Sequence, residues 1–227
     1  MLVSVIIPVF NNELTLKASV ESILNQTYEN LELVIINDGS IDSSEKVILE
    51  IIKNSNRKIT YLKNLKNLGL TKSLNIAIEH CKGELIARQD SDDLSDISRI
   101  EKQIQFIDKY DVVTSRARIL NKNNLIPGYS YYFPKKILIK IKNPFIHGTL
   151  LVKKETIKRF GNYNENFYYA QDYKLMKDFI QNNVRIKFIK EPLYYLNMQN
   201  NISTNFYKEQ KYYARCVKKG INPQLKI

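Results

Sequence analysis

Four short, predominantly apolar runs, residues 3–9, 31–36, 59–62 and 85–87, alternate with segments whose apolar residues recur at helical spacing. A run that is apolar on both of its faces is a strand buried on both sides. Its alternation with helices predicts an α/β fold, a mostly parallel central sheet with helices on both faces. The helices are read around Leu14, Ala18 and Leu24, from Ser43 through Val47 and Ile51, around Leu70, Leu74, Ala77 and Ile78, and through Ile100, Ile104 and Ile107. A further strand is read at 112–114. Ligands of such sheets bind at the carboxyl ends of the strands, and Pro8, Asp38 and Asp90 all fall there.

The second half changes character. Residues 121–145 mix Asn, Lys, Pro and Tyr with weak periodicity, and predict a loop with a short helix. A strand is expected at 150–152, a helix near Asp172 burying Leu175, Met176 and Phe179, and a last short strand at 193–196. No repeat or low-complexity linker appears. The reading is one domain, 1–200, with a nucleotide-binding half at 1–120, an acceptor-side half at 121–200, and a small basic, aromatic extension at 201–227.

Asp90-Ser91-Asp92-Asp93 puts three carboxylates directly behind the apolar run 85–87. Clustered acids at a strand end repel unless something positive lies between them. A hard divalent cation held by oxygen ligands and shared with phosphates is one answer. The first turn of the next helix, where acids meet the positive end of the helix dipole, is the other. Asp38, a second acid behind an apolar run, favours one shared crevice.

Bulk composition excludes several classes. Two cysteines without a CxxC spacing give neither a disulfide framework nor a zinc site. The first residues lack a basic leader and meet Pro8, so they read as a strand, and no apolar run approaches the roughly 20 residues of a membrane span. A cytoplasmic protein is expected. The net charge of +12 invites a nucleic-acid partner, but the lysines are scattered and no recognition motif accompanies them, so none is expected. The densest basic stretch, 208–226, carries Tyr212 and Tyr213 among its lysines. It suits peripheral contact with anionic lipid on the inner face of the membrane, or equally a surface helix over the core.

Phosphate cradles ordinarily use glycine, because the backbone must approach the anion closely. Here the first strand is followed by Phe10-Asn11-Asn12, with none of the seven glycines. Dinucleotide-binding and Walker-type loops are therefore absent. A diphosphate handled without such a loop needs a cation, which returns to the 90–93 acids. Phe10 offers a flat face for a nucleobase or a core side chain, and Asp38 a hydrogen-bond acceptor.

Residues 3–11 (VSVIIPVFN), 37–40 (NDGS), 67–70 (NLGL) and 90–93 (DSDD) resemble, in order and spacing, the nucleotide-site motifs of family 2 glycosyltransferases of the GT-A fold. Ile86-Ala87-Arg88 through Arg99 and Gln103 is similar to the branch that builds bacterial surface polysaccharide. The second half is similar more loosely, through His147-Gly148-Thr149, Gly161-Asn162-Tyr163 and Gln171-Asp172-Tyr173, so the resemblance covers about residues 2–200. It implies a donor-nucleotide site of Pro8, Phe10, Asp38, Asn67, Asp90 and Ser91, with Asp92 on a Mn²⁺ or Mg²⁺ that bridges the diphosphate. Asp172 takes the place of the catalytic base. Asp93, Arg88, His147 and Gln171 are acceptor-side or secondary candidates.

Two departures from the family pattern stand out. Gln171 replaces the usual Glu beside the base. Leu196 and Met198 occupy a segment where relatives often carry Arg and His, and neither side chain can bind metal or phosphate. His147 is a candidate substitute contact, although a lone histidine at a strand start is commonly structural. The resemblance implies inverting transfer of a sugar from a nucleotide diphosphate, UDP-hexose foremost, to a glycan or lipid-linked hydroxyl in lipopolysaccharide, capsule or exopolysaccharide synthesis. The competing readings are a non-catalytic nucleotide-sugar binding protein, a sugar nucleotidyltransferase, which the missing glycine loop disfavours, and a glycoside hydrolase with two facing carboxylates.

Overall fold

The computed structural model describes residues 1–122, 124–198 and 206–224. Among them nine strands form one sheet: β1 (Val3–Val9), β2 (Leu31–Asn37), β3 (Ile59–Lys63), β4 (Leu85–Arg88), β5 (Leu94–Ser95), β6 (Val112–Ile119), β7 (Leu125–Ile126), β8 (Leu151–Lys153) and β9 (Ile186–Leu196). The helices are α1 (Leu16–Leu24), α2 (Ser44–Asn54), α3 (Leu70–His80), α4 (Arg99–Ile104), α5 (Lys135–Leu138), α6 (Lys154–Arg159), α7 (Gln171–Gln181) and α8 (Tyr207–Lys219), with 3-10 turns at Tyr129–Tyr132 and His147–Thr149.

The sheet order is β3-β2-β1-β4-β8-β6-β9-β5, with β7 paired to β6. The four strands of the first half pair in parallel, as their predominantly apolar runs predict. β8 then runs antiparallel to both β4 and β6, while β6 and β9 are parallel. Alternation along β1 divides the interior. Val3, Val5, Ile7 and Val9 join α1, α2 and α4 in one core, and Ile6 joins the core of α3, α6, α7 and α8.

Pro8 sits opposite Ile36 within β1. Pairing of β1 with β4 has already ended at Ile6–Arg88, and Val9 O accepts Asp38 N–H on the β2 side. The donor that proline lacks therefore falls where no partner strand remains, which makes a central-strand proline tolerable.

Several expectations are corrected. α1 begins at Leu16 and buries Leu16, Ser19, Val20 and Ile23, whereas Leu14 is 90% exposed and Ala18 is exposed. Helical period counted from the true start selects that face. α4 ends at Ile104, and Ile107 is buried by the turns that follow. The last strand has eleven residues rather than four. The segment 121–145 holds β7, a 3-10 turn and α5. Of the 201–227 extension, residues 201–205 and 225–227 lie outside the described residues. α8 turns Tyr213, Cys216 and Val217 into the same core as Phe167 and Tyr169. No helix among the described residues is long and apolar enough to cross a membrane.

Candidate active site

The loops after β1, β2, β3 and β4 meet at one edge of the sheet and are cross-tied by short polar side chains. Asn12 is the centre of this knot. Its backbone N–H donates to Ser44 Oγ at 2.8 Å, its Nδ2 donates to Ser91 Oγ at 2.8 Å, and its Oδ1 accepts from Thr15 Oγ1 at 2.5 Å. Asn11 N–H donates to Ser40 Oγ at 3.0 Å, and Ser19 Oγ donates to Asp90 O at 2.7 Å. The donor-site motifs are thus hydrogen-bonded to one another across up to 79 residues of chain.

Asp38 is 4% exposed. Its Oδ1 accepts from Asn64 Nδ2 and Leu68 N–H, each at 2.8 Å, and its Oδ2 accepts from Gly69 N–H at 3.0 Å. Asp38 therefore holds the loop after β3 in place, a role its position behind a strand does not announce. Gly39, at φ +71°, lets that loop close, because a Cβ there would strike the Lys66 backbone. Asn67 is exposed and closes a local turn by accepting Gly69 N–H at 2.9 Å. Phe10 is 47% exposed beyond the end of β1, so it is not a core side chain. Pro8 is buried beneath it.

The 90–93 acids do not cap a helix. β5 intervenes, and α4 starts only at Arg99. Each acid has a different environment. The Asp90 carboxylate pairs with the Arg88 guanidinium, and Asp90 N–H donates to Tyr194 Oη at 3.0 Å. Asp93 is 4% exposed and accepts Asn197 N–H at 2.7 Å. Burial, then the charges of Asp90 and Asp92, push its carboxyl up to about 8. Asp92 is half-buried, and burial with the Asp90 charge pushes it up to about 6. No side chain among the described residues donates to Asp92. An acid raised by its neighbours and left without a side-chain donor is the kind of oxygen ligand a hard cation fits. Among the described residues, no three His, Cys, Asp or Glu side chains converge as a closed metal cage, so the protein offers Asp92 with Asp90 beside it.

Two arginines under this loop are almost wholly enclosed. Arg88, 1% exposed, donates through Nη1 to Gln89 O at 2.7 Å and Ile6 O at 3.3 Å while its Nη2 holds Asp90. This enclosure leaves Arg88 no open path to an acceptor, so its place is a supporting one. Arg99 donates to Arg88 O at 2.9 Å and Gly148 O at 2.6 Å, with its guanidinium over the Tyr194 ring. Gln103 Nε2 donates to Thr149 O at 2.7 Å. Arg99 and Gln103 thereby fasten the His147–Thr149 turn to the end of β4. Gly148 permits this, since any Cβ would collide with Tyr194 Oη.

Asp172 lies in the first turn of α7, after Ala170 at φ +55° and the buried Gln171. Asn143 Nδ2 donates to Asp172 Oδ2 at 2.7 Å. Burial raises the Asp172 carboxyl above the usual range, and the negative charge of Asp90 raises it further. That coupling joins the acid loop after β4 and the head of α7 in one electrostatic site. His147 lines the same narrow cavity as Asp172 and Asn143, and its Nε2 shares a hydrogen bond with Tyr163 Oη at 2.7 Å. Burial and the Arg88 cation hold its imidazolium down at about 3, so His147 is neutral near pH 7. Asn143, Tyr194, Asn64 and Asn12 are the site residues that sequence reasoning missed. Each acts through a partner distant in the chain, and no local pattern marks it.

A family model described as glycosyl transferase family 2 matches residues 4–161. EpsE of Bacillus subtilis is 31% identical over 202 residues, which is 85% of this chain and 71% of that protein. The O-antigen biosynthesis glycosyltransferase WbnJ of Escherichia coli is 35% identical over 180 residues, 77% of this chain and 70% of that one. A glycosyltransferase of Haemophilus influenzae is 33% identical, and there the chain spans only 59% of its relative. Among solved structures, S. aureus TarS 1-349 in complex with UDP-GlcNAc superposes over 100% of this chain and 68% of that one, with TM-score 0.76 and 21% identity. The mannosyltransferase PcManGT of Pyrobaculum calidifontis, in complex with GDP-Man and Mn2+, covers 97% and 65%, with TM-score 0.78 and 17% identity. The architecture is that of GT-A glycosyltransferases.

Proposed function

Given that the chain belongs to glycosyl transferase family 2, we propose that it transfers a hexose from a UDP-sugar to a hydroxyl of a glycan or lipid-linked acceptor, with inversion, in bacterial lipopolysaccharide, capsule or exopolysaccharide synthesis. Family membership sets aside the nucleotidyltransferase, hydrolase and purely binding alternatives. One observation supports the finer reading: Asp92, an acid without a side-chain donor, and Asp172, a half-buried acid on another element, both feel the charge of Asp90. The UDP-GlcNAc complex of TarS and the O-antigen role in WbnJ's name lend it support.

In this reading Phe10 supplies a face for the base, and the loop that Asp38 holds around residues 64–69 borders it. Asp90, fixed by Arg88 and by its N–H to Tyr194, faces the ribose side, with Ser91 and Asn67 beside it. Asp92 holds the cation. A divalent cation, when bound, supplies positive charge against the leaving diphosphate. The acceptor oxygen forms its bond to the anomeric carbon as the bond from that carbon to phosphate oxygen breaks. The electron pair leaves with the diphosphate, and the hydroxyl proton passes to Asp172. A carboxyl raised by burial is a stronger base than a solvated one, which suits a proton taken from a sugar hydroxyl. Neutral His147, held by Tyr163, borders the acceptor side as a polar contact rather than as a second base.

The test is a panel of nucleotide sugars screened by thermal shift with Mn²⁺, followed by turnover of the best hit with mixed glycan acceptors. A UDP-hexose that both stabilises the protein and is consumed supports the reading. Stabilisation and turnover only with a guanosine donor would replace the donor assignment.

A further inference from the structure

The 43 residues 112–154 contain no Asp or Glu and nine Lys or Arg, most of the net charge of +12 in a fifth of the chain. Within this acid-free stretch, helical turns run from Pro134 to Lys142: Leu138 N–H donates to Pro134 O, Ile139 N–H to Lys135 O and Lys142 N–H to Leu138 O. Ile137 and Ile141, four apart within these turns, share one face, and Phe133 leads into it in extended backbone. That face is open, with the three side chains 58%, 58% and 59% exposed. The 3-10 turn just before it adds Tyr129 at 90% and Tyr132 at 66%. Lys136 and Lys140, again four apart, flank the stripe and are exposed, as is Lys142. Lys135 is not part of this surface, since its ammonium turns back to carbonyls of the preceding turn and to the rings of Tyr131 and Phe188.

Large apolar side chains left in water between lysines are the pattern of an element that lies in a membrane interface. From this pattern we propose that residues 129–142 dock the protein on an anionic lipid bilayer surface. The charge decides among occupants. A second copy meeting this patch about a two-fold axis would set the same lysines against each other, whereas an anionic leaflet neutralises them. The reverse side of the segment is firmly seated. Leu138 and Ile139 are buried, and Ile139 O accepts Tyr173 Oη at 2.7 Å, one residue after Asp172. The segment then leads directly to Asn143, which holds Asp172. Docking here brings the end of the crevice that carries Asp172 to the lipid surface. The benefit of that placement, access to a lipid-linked acceptor, rests on the transfer reading above, while the docking itself does not.

The test is co-sedimentation of the whole chain with phosphatidylcholine vesicles, with and without phosphatidylglycerol, and with neither nucleotide nor metal present. Its outcome is thus independent of whether transfer occurs. The protein should partition onto the anionic vesicles and be released by high salt. Ile137→Asn with Ile141→Asn, and separately Lys140→Gln with Lys142→Gln, should each weaken partitioning by about tenfold or more, with melting temperatures unchanged because all four side chains are exposed. Equal sedimentation of parent and variants, or no preference for the anionic vesicles, would overturn the proposal. So would parental self-association in light scattering that the variants abolish without a change in vesicle binding, which would assign the face to a second copy.

Discussion

Asn143 Nδ2 donates to Asp172 Oδ2 at 2.7 Å, across 29 residues of chain. The bond favours the ionised carboxylate and works against the burial that raises the Asp172 carboxyl. Removing it leaves burial opposed only by the backbone N–H groups of Asp172 and Tyr173. Asn143→Ala should therefore move the acidic limb of the kcat–pH profile to higher pH, by about half to one unit for a hydrogen bond of ordinary strength. Activity should recover on the alkaline side, where the carboxyl is ionised in both proteins. A limb at the parental pH would show that Asn143 does not set this ionisation.

Asp92 is the acid without a side-chain donor in the loop after β4, outside both apolar cores. Asp92→Ala should abolish transfer while leaving the melting temperature near the parent's, and a chelator should do the same to the parent. Restoration by added Mn²⁺ or Mg²⁺ would complete the case. Full activity in excess chelator would rule out a metal role.

In the proposed donor site, the exposed Phe10 would face a single-ring base. UDP with metal should raise the melting temperature more than GDP does at equal excess, since the shift follows the ratio of ligand to its dissociation constant. An equal or larger shift with GDP would remove the uridine assignment.

Asp93 carries a linkage prediction. Its folded carboxyl stands at about 8 against an ordinary 3.8, so the folded state holds the proton more tightly than the unfolded chain does. That contribution is complete at low pH and is lost as pH rises through about 8. Asn197 N–H can still be accepted by an amide oxygen, so Asp93→Asn keeps the bond and removes the charge. Measured with chelator, the variant should gain on the parent in melting temperature as pH rises from about 5 to about 8, the direction that a raised folded carboxyl requires. Parallel melting curves across that range would contradict it.

The first four strands are legible because β1, β2 and β4 are buried on both faces and the half-buried β3 is still mainly apolar, which leaves predominantly apolar runs. β9 was read only at 193–196, because Lys187, Lys190 and Glu191 interrupt its first half. There it is only half-buried, and its pairing with β6 carries irregularities at Ser115 and Arg116. The two-residue β5 leaves no pattern at all, which is how the 90–93 acids came to be weighed as a helix cap. The motif positions were legible as strand ends, but their partners were not. Asp38 holding residues 64–69, Arg88 turned inward onto Asp90, and Asn143 on Asp172 all depend on where distant loops arrive, which no local spacing encodes. The apolar face at 133–141 is not legible in sequence, where residues 121–145 show only weak periodicity; the exposure of Phe133, Ile137 and Ile141 marks it.

The most direct test of transfer with Asp172 as base is Asp172→Asn, followed by donor affinity and kcat on the same preparation. Asn keeps the shape and can still meet Asn143, so the fold should stand. A base touches the acceptor proton chiefly in the transition state, so donor affinity should be nearly unchanged while kcat falls by about 10²–10⁴-fold or more. A variant that retains more than about a tenth of the parental kcat would mean that the proton goes elsewhere.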